Sequence, residues 1–406
     1  MLSLSLQTLR LLSAGMLLTF TSSFGQTFFI SVFADNIRAD FHLSHGAWGD
    51  VYMIGTLASG FVMLWAGGLV DVYRVRIIGS VVLVLLAVTS FLVSQSTTVM
   101  SLIVLIFALR LLGQGMPPHI ATVAMARWFP RARGRAIAYT ALGVSFGEAV
   151  LPVAFVFLMT FIHWREAWLV ASVIVLCTAP IVFFLLRSEP APRAGLEQTE
   201  SSGMSSLHWT RSTVLRHPLF WMVLPTVLGP PAFSTSFFFL QTHFAQTKAW
   251  THLQLVSLFP FYTAAALVTM IVSGVLIDRI GTARLMPLYT IPLAAGFLLF
   301  SQASSLTVGA FAIILIGVTT GMQATVVASF WAEFYGTKHL GSIRAVATAA
   351  MVVGTAIGPG ITGRLIDSGI VFSEQMNVIA IVLLCCSCIC ALGVSRYHRL
   401  KSISGT

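Results

Sequence analysis

Stretches of about 20 mostly apolar residues follow one another along this chain, and a helix of that length is what crosses the hydrocarbon core of a bilayer. Twelve such runs are centred near residues 20, 58, 85, 112, 148, 175, 232, 264, 294, 319, 355 and 384. Lipid offers backbone N–H and C=O groups no partner, so each run must satisfy them within itself, as a helix does. Composition agrees: 9% of residues are charged, against roughly 25% in soluble domains. The first run follows Arg10. It is too long for the apolar region of a signal peptide and lacks a small-residue cleavage site, so it reads as a retained helix. The expected fold class is all-α integral membrane, with twelve transmembrane helices.

The net charge of +10 orients the chain rather than pointing to nucleic acid. With both termini cytoplasmic, only Arg38, Arg165 and Lys248 among the 23 Lys/Arg lie outside, and Arg110 and Arg364 fall within spans. The remainder lie inside, as the positive-inside rule requires of a multi-pass protein of the cell (inner) membrane. Cys177 lies in the sixth run, and Cys385, Cys386, Cys388 and Cys390 cluster in the twelfth. No His or carboxylate joins them there, so they read as inert thiols, with no metal and no cofactor expected.

The two halves of the chain repeat one another. Gly67-Gly68-Leu69-Val70-Asp71 matches Gly274-Val275-Leu276-Ile277-Asp278 at an offset of 207 residues (71 to 278), and the same offset carries Gly134 to Gly341, Gly147 to Gly354 and Pro152 to Pro359. Duplication in so apolar a chain is the mark of a transporter built from parallel repeats. The expected organisation is a six-helix bundle over 1–187, a polar cytoplasmic linker over 188–216 and a second, pseudo-symmetric six-helix bundle over 217–406.

The second copy, Gly274 to Arg284, closely resembles the G-x-L-x-D-R-x-G-x-x-R loop of the major facilitator superfamily. The first copy, Gly67 to Arg76, keeps the glycine, leucine and aspartate, with Arg76 one place short of the last arginine, but has Val72 and Arg74 where arginine and glycine are usual. Arg110-Leu111-Leu112-Gly113-Gln114-Gly115 resembles the fourth-helix arginine motif, and Gly143-x3-Gly147-x4-Pro152 partly matches the fifth-helix glycine-proline motif. The stretch from Arg127 to Ala136 is similar to the segment entering helix five in the monocarboxylate and oxalate/formate branch, which carries small organic anions.

An ionisable residue at bilayer depth is a functional candidate by default. Arg110 and Glu148 each lie some 11–12 residues into their spans, about 16–18 Å deep at 1.5 Å per residue, and so are able to pair. A guanidinium presents a planar fork of donors that matches a carboxylate, which makes Arg110 the candidate docking group for an anion. Glu148, an acid whose pKa burial at that depth is expected to raise, is the candidate proton carrier, and His119, after Pro117-Pro118, is a second. The prolines are expected to break or kink the fourth helix.

The resemblance implies that helices one, four, seven and ten line the path. Ser22 and Gln26, Arg110 and Gln114, and Thr319 and Gln323 are each spaced i,i+4, which makes a polar stripe on a helix. Gln241 and His243 on helix seven, and Tyr52 and Tyr262 on helices two and eight, complete the candidate substrate site. Arg364 joins them because a basic residue in helix eleven binds substrate in the organic-anion branch. For gating, Asp71 is expected to pair across halves with Arg344, and Asp278 with Arg133 or Arg135.

The function expected is secondary transport of a small, monocarboxylate-like organic anion by alternating access, with protons as the candidate coupling ion. The alternative is proton-driven efflux of drugs or amphipathic compounds. The partners expected are the small molecule, protons and membrane lipids, with no nucleic acid, and the chain is expected to be monomeric. An enzyme is not expected, since no nucleophile-base-orienter set appears.

Overall fold

A computed structural model describes residues 5–129, 132–187, 189–190, 203–204, 207 and 209–403. Pro130 and Arg131 of the helix-five entry, and most of the polar stretch 188–216, lie outside them. The described residues form helices and connecting turns, with no strand among them. Eleven helices are long and apolar enough to cross a membrane, and a further span is the pair Leu6–Gly25 and Thr27–Phe41, bent by 47°. Two compact units result: Met1–Glu197 with Phe238–Thr242, and Gln198–Phe237 with His243–Thr406.

In the first unit the bent span is followed by His45–Val72, Val75–Ser94, Val99–Trp128, Arg133–Leu158 and Trp164–Leu185, the second to sixth spans. Small residues set the closest approach. A Cβ on Gly143 would collide with the Met16 carbonyl of the first span, and one on Gly147 with the Ser23 hydroxyl. Glycine therefore lets the first and fifth spans touch through their backbones, as packing in lipid favours. Above that contact, rings fill the core: Phe29 lies 5.0 Å from Phe24, 4.8 Å from Phe155 and 5.4 Å from Trp168, all edge-on. Arg165 donates to the Ser94 and Ser96 carbonyls at 3.0 and 2.7 Å, and the Trp164 indole donates to Asp40 at 3.1 Å. These bonds tie the ends of three spans into one cap.

The second unit holds the spans Pro218–Phe239, His252–Ile280, Thr282–Gln302, Leu306–Tyr335, Leu340–Asp367 and Phe372–Tyr397, with the end of the first of these passing into the other unit. The small-residue device recurs: a Cβ on Gly358 would lie 2.5 Å from the Ala232 carbonyl oxygen and 2.7 Å from the Ser236 hydroxyl. Part of the expected linker packs here too. Met204 and Val214 are buried beside Trp331, Phe334 and Tyr335, and Arg211–Arg216 forms a short helix capped by Thr210.

The two copies of the repeated loop turn differently, for a reason visible in their residues. Gly281 ends the eighth span at φ 76° and ψ 165°, a region used essentially only by glycine and costing other residues about 1–3 kcal/mol. At the corresponding place Arg74 is extended, at φ −62° and ψ 139°. The first loop is fixed instead by side chains. The His119 ring lies 3.1 Å from the Gly67 carbonyl, and Arg127 donates to the Val70 carbonyl at 2.9 Å and pairs with Asp71.

Candidate functional site

The first span is not one helix. Gln26 is extended, at φ −82° and ψ 154°, between a 3-10 turn and a short helix Thr27–Ile30. The i,i+4 face expected for Ser22 and Gln26 is thereby corrected: the backbone breaks between them. Ser22 is buried and donates to the Thr19 carbonyl at 2.6 Å, while Gln26 is half-buried at the break. A break in a span leaves carbonyls without helical partners, and protein side chains must supply donors.

The fourth span supplies one. It is α-helical to Leu109, forms a π turn over Arg110–Gly115 and resumes as an α-helix from Met116 with prolines in its first turn. Of the expected break or kink at Pro117-Pro118, the break does not occur. Proline lacks an N–H and clashes with the carbonyl four residues back. Here the wide turn takes up that conflict, and Val99–Trp128 remains one 30-residue span. Hydrogen bonds five residues apart widen the turn that carries Arg110 and Gln114, and Gln114 is half-buried.

Arg110 is 2% exposed. Its Nη1 donates to the Gly25 carbonyl and to the Thr27 hydroxyl, both at 3.3 Å, longer than the usual N–H···O range of about 2.7–3.2 Å. Its guanidinium lies 5.2 Å from the centre of the Tyr52 ring, and the Tyr52 and Thr27 hydroxyls are 2.5 Å apart. Nε has no acceptor. Among the described residues Arg110 has no carboxylate partner: the pairing with Glu148 that their depths allow is not made here, and Glu148 is half-buried on the fifth span. A guanidinium carries five donors, and a buried charge held this loosely is costly unless something else neutralises it.

Gln241 and His243 do not extend the seventh span, which ends at Phe239; they lie on the short helix Gln241–Thr247. Within the first unit the segment Phe238–Thr242 closes over the second span. Phe239 stacks on Trp48 at 5.7 Å and lies 4.9 Å from Tyr52, Gln241 donates to the Phe28 carbonyl at 3.1 Å, and the Thr242 hydroxyl donates to Asp35 at 3.0 Å.

The other candidates are placed in the second unit. Tyr262 donates to the Thr320 hydroxyl at 3.1 Å; Thr319 is fully buried with its hydroxyl unpartnered; His243 and Gln323 are half-buried; and Arg364 is exposed. An apolar crevice of about 340 Å³ lies between the seventh and eleventh spans, lined by Leu228, Phe233, Val353 and Ile357 among others.

Of the gating residues, Asp71 is engaged by Arg127 of its own unit, and Asp278, Arg133, Arg135 and Arg344 are exposed. At the place in the second unit that corresponds to the Arg127 tie, the charge is reversed. Glu333 accepts from the Thr282 backbone N–H at 3.1 Å and its hydroxyl at 2.6 Å, capping the ninth span at its positive end. Glu189 does the same for the third span, accepting from the Arg76 N–H at 2.9 Å.

Sequence reasoning named Arg110 and Tyr52 but missed Gly25, Thr27, Trp48 and Phe239. Trp48, Tyr52 and Thr56 recur every fourth residue, a face that periodicity shows. The break at Gln26 has no proline to announce it.

The sequence pattern of the Major Facilitator Superfamily matches residues 15–359, and again 245–398. The chain belongs to that superfamily. No curated protein matches it. Among solved structures it is similar to a bacterial homologue of the human lysosomal transporter Spinster in an inward-facing, unoccupied conformation, at 14% identity and a TM-score of 0.74, over 98% of this chain and 99% of that one. It is also similar to a single-residue mutant of the nucleoside transporter NupG, at 12% identity and a TM-score of 0.70, over 96% and 99% of the two chains. At such identities the likeness is one of fold.

Proposed function

We propose that this protein is a secondary transporter of a small, monocarboxylate-like organic anion, working by alternating access in the cell (inner) membrane with both termini cytoplasmic. The observation that carries this reading is the state of Arg110: a fully buried guanidinium with no carboxylate partner among the described residues, two long hydrogen bonds and an unused Nε donor. A carboxylate completes that donor set through a bidentate pair, and the anion replaces the missing countercharge. Tyr52 and Thr27 hold the guanidinium in place. Glu148 is the proton carrier in this scheme. His119, tied to the Gly67 carbonyl, communicates with the repeated loop.

The halves 1–187 and 217–406 move about the connection 188–216 as a monomer. Asp71 with Arg344, and Asp278 with Arg133 or Arg135, latch one side. In this scheme the Arg127–Asp71 pair is the alternative partnership that Asp71 adopts when the latch is open.

Uptake of labelled carboxylates by proteoliposomes, with and without a pH gradient, tests the reading. Arg110-dependent carboxylate flux is expected. Flux that survives in Arg110→Gln, or that follows only cationic compounds, overturns it. The apolar crevice between the seventh and eleventh spans favours the second reading, efflux of amphipathic compounds, which proton-dependent extrusion of a cationic dye by the same vesicles would select.

A further inference from the structure

Next to Arg110 the second span presents two large rings on one face, Trp48 and Tyr52, one helical turn apart and both fully buried. A third ring, from elsewhere in the chain, lies against both. Phe239 lies 5.7 Å from Trp48, with the planes 17° apart, and 4.9 Å from Tyr52. Tyr52 in turn lies under the Arg110 guanidinium at 5.2 Å. The legs Arg110–Tyr52 and Tyr52–Phe239 bound the distance from guanidinium to ring slot at their sum, about 10 Å. The Trp48 indole N–H, like Arg110 Nε, is buried without an acceptor. The slot thus combines flat apolar walls with donors that lack acceptors.

The occupant is held by a segment that has a joint. Phe239 ends its helix, Leu240 is a turn, and the next helix begins at Gln241. Two side-chain hydrogen bonds, Gln241 to the Phe28 carbonyl and Thr242 to Asp35, fasten the segment to the first span beyond its break. Phe239 is the last residue of its helix, where ends fray most readily, so it leaves the slot by loosening of that terminal residue beside the Leu240 turn while the rest of the seventh span stays helical.

We propose that the Trp48–Tyr52 slot receives the ring of an aryl carboxylate whose carboxylate docks on Arg110, and that Phe239 holds the place of that ring in this structure. This rests on the anion-transport reading of Arg110 and adds the shape of the anion's body. An aromatic substrate replaces the stacking that Phe239 gives up, so opening the slot costs it little. An aliphatic acid of the same size displaces Phe239 without restoring ring-on-ring contact. Stacked pairs of this kind favour the aryl acid about threefold to tenfold.

The test is binding of benzoate, cyclohexanecarboxylate and acetate to the purified full chain in detergent, measured by titration calorimetry. Benzoate is expected to bind about threefold to tenfold more tightly than cyclohexanecarboxylate. Phe239→Ala, which removes the competing ring, is expected to tighten benzoate several-fold, and Trp48→Leu to bring the benzoate-to-cyclohexanecarboxylate ratio to one. Should Phe239→Ala fail to fold, Phe239→Leu serves, since it keeps volume and loses stacking. Equal affinity for the two cyclic acids, a preference that persists in Trp48→Leu, or acetate binding without benzoate binding overturns the aryl assignment alone. Arg110→Gln separates this failure from the other. If acetate still binds to that variant, or if none of the three acids binds the wild type, the anion reading falls as well.

Discussion

Gly25 and Gly113 meet backbone to backbone: a Cβ on Gly25 would lie 2.6 Å from the Gly113 Cα, and one on Gly113 2.5 Å from the Gly25 Cα. This contact joins the break in the first span to the π turn in the fourth, and Arg110 reaches the Gly25 carbonyl across it. Two irregular pieces of backbone at membrane depth therefore satisfy one another. Irregular backbone there is tolerated where it is buried in protein or lines a cavity, and π turns concentrate at functional sites.

Gly113→Ala is expected to destabilise the protein by about 1–3 kcal/mol, the usual range for overpacking, and to abolish transport by moving Arg110. Gly341→Ala is the control, because a Cβ there meets nothing within 4 Å. Thermal unfolding in detergent, paired with uptake assays, reads both effects. A Gly113→Ala protein with wild-type stability and uptake would show that the close approach is dispensable.

Arg110→Lys is expected to fold and yet to lose carboxylate uptake by tenfold or more. Lysine keeps the charge but has no planar fork, and it cannot reach the Gly25 carbonyl and Thr27 while presenting paired donors. Uptake kinetics in proteoliposomes at matched protein density check this. Wild-type uptake in Arg110→Lys would reduce the role of Arg110 to its charge alone.

The all-helical membrane fold was legible because it rests on run length and charge placement, which are additive over many residues. The site was legible only in part. Arg110 stood out because a charge in an apolar run has few bland explanations. Its surroundings did not, since an i,i+4 reading presumes a continuous α-helix, and both spans that meet at Arg110 depart from one. Gln26 interrupts the first, and a π turn widens the fourth over Arg110–Gly115. Pro117 and Pro118 were a true signal of irregularity: a π turn over Arg110–Gly115 precedes them, and the span is not broken. Phe239 was invisible for a different reason: it reaches Trp48 and Tyr52 from far along the chain, and no local pattern encodes that contact.

Neutralising Asp71 is expected to change gating far more than stability. Its pair with Arg127 is exposed, 28% and 69% at the two side chains, and exposed pairs contribute about 0–1 kcal/mol. Asp71→Asn therefore leaves the melting temperature nearly unchanged. If the loop charges latch one side, Asp278→Asn and Asp71→Asn shift the labelling of cysteines placed on the two faces of the membrane. Identical labelling patterns in wild type and both variants would remove the latch from the mechanism.

The packing of residues 203–204, 207 and 209–217 on the second unit is expected to weaken in acid. His217 lies against three rings, Trp209 at 4.8 Å, Tyr335 at 6.2 Å and Tyr397 at 4.7 Å, and its Nδ1 is buried without a partner. The only ionisable groups among those rings are the two phenols, and Arg396, 5.9 Å from the Tyr397 ring, adds positive charge nearby. Burial lowers the pKa of His217 below the ordinary histidine value, so the packed form binds fewer protons than the released one. Its contribution to stability is present above about pH 6.5, the unperturbed value, and is lost as pH falls through the lowered one. Hydrogen exchange over 203–204, 207 and 209–217, corrected for intrinsic rates, should accelerate between pH 7.5 and about 5, and His217→Phe should remove that acceleration while keeping the ring contacts. If exchange in the wild type and in His217→Phe rises equally with acid, His217 is not the group that titrates.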